Sequence, residues 1–183
     1  MKTIEDKKCS AFATERCSYL DCTFEDMDAK GAIIKGSEFE DCIFTRCDLS
    51  LVDLTDVSFR NVRFVECMMQ GMIFHRLNLF LFSMHFENCR LDQSLFYNMD
   101  LKSCKIQECQ LRQVVFEDCK MLKFSFKNCL LEGTTFDHCD LTQADFTEVV
   151  GLDLDPERNK IKGARFSPQS ALGLLNKYQI KIE

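Results

Sequence analysis

Large apolar residues recur at every fifth position along most of the chain. One run extends from Tyr19 to Leu79, and only Ala29 within it is small. A second run extends from Phe86 to Phe146 without exception. Neither the 3.6-residue period of a helix nor the two-residue period of a strand produces this spacing. The pattern therefore predicts a chain built of five-residue units, and we call the large apolar residue of each unit its centre.

A smaller residue stands two positions before most centres, and it is often cysteine. The chain has 12 cysteines, and all except Cys9 occupy this position. Free cysteine behaves as a small hydrophobic residue and is among the most buried residue types. The other three positions of the unit are mostly polar, as in "ED", "KN" and "DH". We therefore predict that each unit buries its centre and the smaller partner and exposes the rest.

Two other roles for the cysteines were weighed, a disulfide framework and a metal site. The start of the chain has no apolar signal segment and no apolar run approaches a membrane span, so we expect a cytoplasmic, reducing location. Neither CxxC nor HxxxH occurs, and the tightest pairs, such as Cys17 and Cys22, have four residues between them. The sequence predicts reduced, buried and unreactive thiols, with no metal ion and no cofactor.

The unit small-x-large-x-x resembles the pentapeptide-repeat family, whose consensus is A(D/N)LXX with Leu or Phe at the centre. The segments "CDLTQADFTE" at 139–148 and "CDLSLVDLTD" at 47–56 carry the resemblance, which covers roughly residues 12–166. It implies an all-β solenoid, a right-handed quadrilateral parallel β-helix with four units per coil and coils about 4.8 Å apart. The right hand agrees with the usual sense of parallel crossovers.

The pattern divides the chain into three predicted segments. These are an N-terminal cap over 1–11, the repeat β-helix over 12–167, and a capping or dimerisation segment over 168–183. The repeat has one register break near 80–86, because Leu79 and Phe86 are seven residues apart. The break is either an insertion tolerated at a corner or a bend used for recognition. Phe80 fits neither inward position, so it is either exposed or folded under the break.

The C-terminal segment changes character after the last repeat. Pro168 can begin a helix, in which the apolar residues Ala171, Leu174, Leu175 and Tyr178 would share one face. Ile180 and Ile182 alternate with Lys181 as in a short strand. The segment "NKIKGARFSPQSALGLLNKYQIKI" resembles the end of the Qnr-type quinolone-resistance proteins and, more distantly, of the mycobacterial MfpA type. This resemblance implies a homodimer joined tail to tail. The candidate interface residues are Ala171, Leu174, Leu175, Tyr178, Ile180 and Ile182.

The charge pattern bears on the partner. The net charge is −6 and no basic stripe is obvious, so direct nucleic-acid binding is not expected. The Qnr resemblance implies a DNA-mimicking rod that binds DNA gyrase or topoisomerase IV and protects these bacterial type II topoisomerases from quinolones. If the register break does not rotate the faces, one face carries the candidate partner-binding carboxylates Asp53, Asp56, Glu117, Asp118 and Asp137. The face centred on Phe39 and Phe59 is acidic at Glu38, Glu40 and Asp41 and basic further on at Lys102, Lys120 and Lys123.

Two other classes of function were compared with this hypothesis. A generic protein-interaction scaffold, with an unknown partner, fits any repeat rod. An enzyme is not predicted, because His75, His85 and His138 stand at outward positions of separate units. No Ser/His/Asp set, paired buried carboxylates or phosphate-binding loop occurs in the sequence, so no catalytic residues are assigned.

Overall fold

The repeat folds into a four-sided parallel β-solenoid. The computed structural model describes residues 2–5, 8–9, 12 and 16–181, and these form about seven coils. Each coil has four short extended sides, and equivalent sides of successive coils pair in parallel. The expected all-β solenoid is therefore confirmed. In this described part of the chain, no helix is long and apolar enough to cross a membrane.

The strands are short, because each side of a coil is only five residues long. They are β1 Lys2–Glu5, β2 Lys8–Cys9, β3 Cys17–Leu20, β4 Thr23–Glu25, β5 Glu38–Glu40, β6 Ile43–Thr45, β7 Ser58–Arg60, β8 Val62–Val65, β9 Met84–Glu87, β10 Leu95–Tyr97, β11 Cys104–Gln107, β12 Val115–Glu117, β13 Phe126–Lys127, β14 Thr135–Asp137, β15 Asp145–Phe146 and β16 Arg165–Phe166. The helix α1 spans Pro168–Ala171, and 3-10 turns span Phe74–Arg76, Leu101–Ser103, Leu172–Leu174 and Asn176–Tyr178.

The four walls of the solenoid are defined here by their inward-pointing centres. The first wall has Tyr19, Phe39, Phe59, Leu101, Met121 and Leu141; the second has Phe24, Phe44, Phe64, Phe86, Ile106, Phe126 and Phe146; the third has Ala29, Leu49, Met69, Leu91, Leu111 and Leu131; the fourth has Ile34, Leu54, Phe74, Phe96, Phe116 and Phe136. All of these side chains are buried, so the five-residue period of the sequence is the period of the core.

Aromatic rings stack along the walls from coil to coil. On the second wall, the ring centroids of Phe24 and Phe44 are 4.4 Å apart and their planes differ by 5°. The stack continues from Phe44 to Phe64 at 5.1 Å and from Phe64 to Phe86 at 5.2 Å. In-register parallel pairing forces this arrangement, because equivalent side chains of neighbouring coils must lie one above the other. No coil can bury its inner face alone, so the stack stabilises the fold through neighbouring coils.

The eleven cysteines from Cys17 to Cys139 fill inward positions of the units, as predicted from the spacing. All eleven of them are free and buried. Five lie in one column beside the third wall: Cys47, Cys67, Cys89, Cys109 and Cys129. Buried thiols find backbone acceptors, since the Sγ of Cys67 lies 3.5 Å from the carbonyl oxygen of Phe44 in the preceding coil. Burial raises the pKa of the Cys42 and Cys104 thiols to about 12 and that of Cys129 to about 11.

The corners explain much of the polar composition. At most corners the second residue after the centre has a positive φ, for example Asp21 at 51° and Asn61 at 51°. Asp and Asn tolerate this left-handed conformation better than other residues with a side chain, and glycine tolerates it best. Leucine has no such advantage, yet Leu51 and Leu81 adopt it at φ values of 60° and 56°.

The register break inserts two residues between Leu77 and Met84. Phe64 pairs with Phe86 and Ile73 pairs with Leu95, an offset of two more than the pairing of Phe24 with Phe44. The predicted centre Leu79 is wrong, because Leu79 is 37% exposed. Leu77 is buried and Phe82 packs partly against the core in its place. The walls continue in register on both sides, so the insertion does not rotate the faces.

Both ends of the solenoid carry additional structure. At the N-terminal end, β1 pairs with β3 and β2 pairs with β4, which extends the first and second walls. The side chain of Phe12 packs against the core and contacts the ring of Phe24 at 5.6 Å. The predicted cap over 1–11 lies partly outside the described residues. The division of the chain at 11 and 167 stays a prediction.

The C-terminal tail folds back on the last coil. Ser167 and Ser170 form a capping box that begins α1, with Pro168 in the first turn. Lys177 reaches the carboxylates of Asp155 at 2.8 Å and Glu157 at 2.7 Å. The backbone of Gly173 lies against Leu152, and its carbonyl accepts a hydrogen bond from the N–H of Leu154.

The tail differs from its sequence pattern in two respects. The apolar spacing from Ala171 to Tyr178 suggested one helix, but α1 ends at Ala171 and two 3-10 turns follow. The close approach of Gly173 to Leu152 accompanies this interruption, and glycine also lowers helix propensity. Ile180 and Lys181, the last described residues, are in no strand, and Ile182 lies outside the described residues.

The buried thiols make the fold sensitive to alkaline pH. The pKa values of the Cys42, Cys104 and Cys129 thiols are raised above the ordinary value of 9.0, so the stability that these three contribute is complete below about pH 9 and is lost as pH rises towards 11–12. Each such thiol lowers the free energy of unfolding by about 1.4 kcal/mol per pH unit in this window. Denaturant unfolding between about pH 8 and pH 10.5 measures the loss. The variant Cys42→Ala has one titrating thiol fewer and should show a shallower decline; equal stability at both ends of the range would contradict the prediction.

The glycine beneath the tail is a second test of the packing. A Cβ added at Gly173 would collide with the carbonyl group of Leu152, which is backbone and cannot move aside. We expect Gly173→Ala to destabilise the docked tail by about 1–3 kcal/mol. Limited proteolysis of the tail measures this opening directly. The control is Asn176→Ala, since Asn176 is an exposed residue of the same tail and its replacement should leave cleavage unchanged.

Candidate functional site

The five predicted partner-binding carboxylates all lie on the outside of the fourth wall. Asp53 pairs with Ile33 along this wall, and Glu117 pairs with Asp137. Phe74 and Phe96, stacked at 4.3 Å, connect the coils on either side of the register break. The structure therefore brings the five residues onto one wall.

The carboxylates form two groups along this wall rather than one continuous stripe. Asp53 and Asp56 occupy one coil. Glu117 and Asp118 lie three coils further along the rod, roughly 14 Å from that coil, and Asp137 lies one coil beyond them. His75 and Tyr97 occupy the coils between them, with rings in edge contact at 5.7 Å. Arg76 also lies in this gap. The middle of the fourth wall is thus aromatic and basic.

The five carboxylates differ in how far they are neutralised. Asp53 accepts hydrogen bonds from the hydroxyl and the N–H of Thr55, which lower the pKa of its carboxyl, and Arg76 lies 3.8 Å away. Asp137 is bound by Arg158 at 2.7 Å. Asp56, Glu117 and Asp118 form no ion pair within the described part of the chain. These three carry the charge that is available to a partner.

The structure adds carboxylates that the sequence did not assign. Glu117 and Asp137 line a shallow groove of about 450 Å³ together with Asp153, Asp155 and Arg158. The five-residue pattern has no apolar centre here, because Gly151 and Pro156 stand at the positions expected for centres. The pattern alone therefore does not assign the residues of "DLDPE" to a wall. The groove extends the acidic end of the fourth wall towards the tail.

The charge of the rod is far below that of duplex DNA. Duplex DNA carries one negative charge per 1.7 Å of axis, or about 20 over the roughly 34 Å of seven coils. The chain has a net charge of −6. Any mimicry of DNA therefore depends on the local charge of one wall and not on the charge of the whole molecule.

The first wall has a different pattern, with opposite charges at its two ends. Glu38, Glu40 and Asp41 lie on the coil of Phe39. The basic group of Lys102, Lys120 and Lys123 lies on the coils of Leu101 and Met121. Around the adjoining corner, Lys102, Lys105, Lys123 and Lys127 line a groove of about 340 Å³ together with Leu122 and Ser125. The expected change of sign along this face is present.

The predicted dimer residues do not all share one environment. Leu174 packs against the core, and Ala171 and Leu175 are half-buried. Tyr178 and Ile180 are exposed by 54% and 55%. Leu172, which the sequence pattern did not single out, is also exposed. The apolar surface available to a second tail is therefore Leu172, Tyr178 and Ile180.

Histidine and metal-type clusters were also located. Among the described residues, no group of three or more His, Cys, Asp and Glu side chains is placed to hold a metal ion. His75, His85 and His138 lie on three different coils. Burial lowers the pKa of His85, and His138 contacts Asp137 at 3.0 Å.

Comparison with known families identifies the repeat. A family described as "Pentapeptide repeat region" matches residues 37–114, and one described as "Pentapeptide repeats (8 copies)" matches residues 125–150. Together the two matches cover more than half of the chain. A search of curated proteins found no significant match.

Similar chains were also found among solved structures. A trypsin-treated form of QnrB1, described as a plasmid-mediated fluoroquinolone resistance protein, is 21% identical with a TM-score of 0.46, covering 100% of this chain and 98% of that one. HetL from the cyanobacterium Nostoc sp. strain PCC 7120, described as a pentapeptide repeat protein involved in heterocyst differentiation regulation, is 13% identical with a TM-score of 0.37. That match covers 90% of this chain and 84% of the other.

Proposed function

Because this chain belongs to the pentapeptide-repeat family, we propose that it is a non-catalytic rod that binds another macromolecule through its outer walls. The partner we propose is DNA gyrase or topoisomerase IV, which the rod occupies in place of duplex DNA and thereby protects from quinolones. The observation that carries the proposal is the fourth wall, on which all five predicted carboxylates lie. A protein surface that binds DNA presents Lys and Arg to phosphates, so a mimic needs carboxylates on one side.

The shape of the rod supports the same partner. The walls keep their register through the insertion, so the molecule is a continuous rod of roughly 34 Å. The resemblance of the closing segment "NKIKGARFSPQSALGLLNKYQIKI" to Qnr-type proteins supports the choice of a topoisomerase over other DNA-binding enzymes.

A generic protein-interaction scaffold is the second candidate, and one observation favours it. The middle of the fourth wall carries Tyr97, which is 42% exposed, with His75 and Arg76 beside it. Tyrosine and arginine are enriched in protein interfaces, whereas they do not imitate a phosphate backbone. A partner that uses this middle section would be selected by shape and aromatic contact more than by charge.

The topoisomerase proposal predicts an effect in a supercoiling reaction. With purified gyrase at a fixed quinolone dose, titration with this protein should restore supercoiling. The triple variant Asp56→Asn, Glu117→Gln and Asp118→Asn removes the unpaired charges of the fourth wall, and about tenfold more protein should then be required. The requirement for the unaltered protein should also rise with salt, since exposed charges are screened.

The matched control removes the same number of charges from another part of the rod. Glu66→Gln, Glu108→Gln and Glu148→Gln alter exposed carboxylates that follow the second wall. This variant should act like the unaltered protein. Neither rescue nor inhibition at micromolar protein would reject the topoisomerase and leave the scaffold. Rescue that survives the fourth-wall substitutions would keep the partner and exclude the charge as its cause.

We also propose that the tail joins two copies of the chain. The exposed apolar residues Leu172, Tyr178 and Ile180 support this interface. The ion pairs of Lys177 with Asp155 and Glu157 fix the tail that carries them to the last coil. The double variant Leu172→Asp and Ile180→Asp should be monomeric by light scattering at micromolar concentration, whereas the control Asn176→Asp should keep the mass of the unaltered protein. A monomeric unaltered protein would show that the tail only caps the last coil.

A further inference from the structure

The insertion on the first wall places apolar side chains in water. The loop 78–83 leaves the wall after Asn78, whose N–H bonds the carbonyl of Val57, and returns at Ser83, whose N–H bonds the carbonyl of Phe59. The hydroxyl of Ser83 also bonds the carbonyl of Ser103 in the next coil. Both ends of the loop are therefore fixed to the wall, and its tip projects from the rod.

The tip of the loop is Phe80 and Leu81. They are 68% and 69% exposed, and Phe80 is the one exposed phenylalanine among the described residues. Leu81 has a φ of 56°, a conformation that costs a leucine about 1 kcal/mol and that glycine or asparagine would adopt more readily. A loop needed only to absorb two residues would place polar residues here. An exposed apolar tip on a fixed loop is typical of an interaction site.

The loop divides the first wall into two halves of opposite charge. The coils of Tyr19, Phe39 and Phe59 precede it, and the coils of Leu101, Met121 and Leu141 follow it. The acidic coil of Phe39 is two coils before the loop, and the basic coil of Met121 is two coils after it. Both are therefore roughly 10 Å from the loop along the rod.

These distances fit a second copy of the same chain. We propose that two rods associate side by side and antiparallel through their first walls, with the two insertion loops in contact at the centre. A two-fold axis that passes between the two loops, perpendicular to the rods, reverses the order of the coils. Each position of a unit in one copy then faces the same position of a unit in the other copy. Glu38 faces Lys120 of the second copy, and Asp41 faces Lys123. Symmetry makes each of these pairs occur twice.

Charge complementarity selects this orientation. In a parallel arrangement, the acidic coil of Phe39 would face its own copy, with Glu38 opposite Glu40, and the basic coil of Met121 would face its own copy, so like charges would meet at both ends. The antiparallel arrangement opposes one like-charged pair, Arg60 and Lys102, but each already has a carboxylate in its own chain. Arg60 contacts Glu40 at 3.2 Å and Lys102 contacts Asp100 at 3.6 Å.

The proposed contact is independent of the tail and of any topoisomerase. It uses a small apolar centre and a charged surround, so a weak association in the micromolar range is expected, weakened further by salt. A rod that also dimerises through its tail would then form larger assemblies as its concentration rises. This surface faces away from the third wall and leaves the core unchanged.

The first test is self-association of the full chain by sedimentation velocity. Leu81→Asp should weaken association at least about tenfold, because a charge would replace the apolar tip at the two-fold axis. The matched control is Leu51→Asp, since Leu51 is also an exposed leucine with positive φ at a corner and lies away from the first wall. The proposal would be overturned if both variants weakened association equally. It would also be overturned if the sedimentation coefficient of the unaltered protein did not rise beyond that of a tail dimer at concentrations up to about 100 µM.

Charge reversal tests the orientation. Asp41→Lys and Lys123→Glu should each weaken association, because each places two like charges opposite one another. The double variant should recover association, because both members of each pair have then changed sign. A double variant weaker than either single variant would exclude the antiparallel arrangement.

A crosslink separates this contact from the tail dimer. Phe80→Cys places an accessible thiol at the two-fold axis, in a background with Cys9→Ser, while the eleven cysteines from Cys17 to Cys139 are buried. Mild oxidation with copper-phenanthroline should produce a disulfide-linked dimer in which this thiol joins to its symmetry mate. The crosslink should also form in the Leu172→Asp and Ile180→Asp background, where the tail interface is removed. No crosslink in either background would contradict the proposal.

Discussion

The structure depends on the stacking of equivalent side chains at the spacing of parallel strands. Each inward residue sits about 4.8 Å above its counterpart in the coil below, so a residue that fits one coil must also fit its neighbours. Flat rings meet this requirement well, as the stacks of Phe24, Phe44 and Phe64 show. The second inward position beside them is often filled by cysteine, whose thiol reaches a backbone carbonyl. Core packing and hydrogen bonding are thus satisfied by one five-residue unit.

The same constraint explains how the chain tolerates an irregularity. An odd displacement along a wall would turn inward side chains outward. The two additional residues are instead confined to one loop, and Met84 resumes the pairing with Val62. The hydrogen bonds of Asn78 and Ser83 to the coil below hold both ends of this loop. The result is a rigid wall with a local projection, which is a suitable geometry for a contact that leaves the rod intact.

Because the core uses two of five positions, the outer positions are free to vary without cost to the fold. The fourth wall uses this freedom for carboxylates and for the pair of Tyr97 and His75, and the first wall uses it for charges of opposite sign at its ends. The two walls therefore suit different partners. A solenoid of this kind can present several separate surfaces, since each wall is continuous along the rod and is separated from the next by a corner.

The sequence by itself determined the repeat and the inward positions of Phe and Cys, because the period of five is the period of the fold. That Asp53 and Glu117 share a wall depended on whether the break rotates the faces, and only the pairing of the coils on either side of the break decided it. Nor did the sequence determine where the pattern was interrupted. Leu79 matched the period but is 37% exposed, since the chain leaves the wall just before it, after Asn78. Asp153 and Asp155 could not be assigned to a wall, because Gly151 and Pro156 occupy the expected centres. Only the tertiary structure decided that Phe80 is exposed, that Gly173 lies on Leu152, and that Lys177 neutralises Asp155. These contacts join segments that no local period relates, and packing against neighbouring coils fixes them.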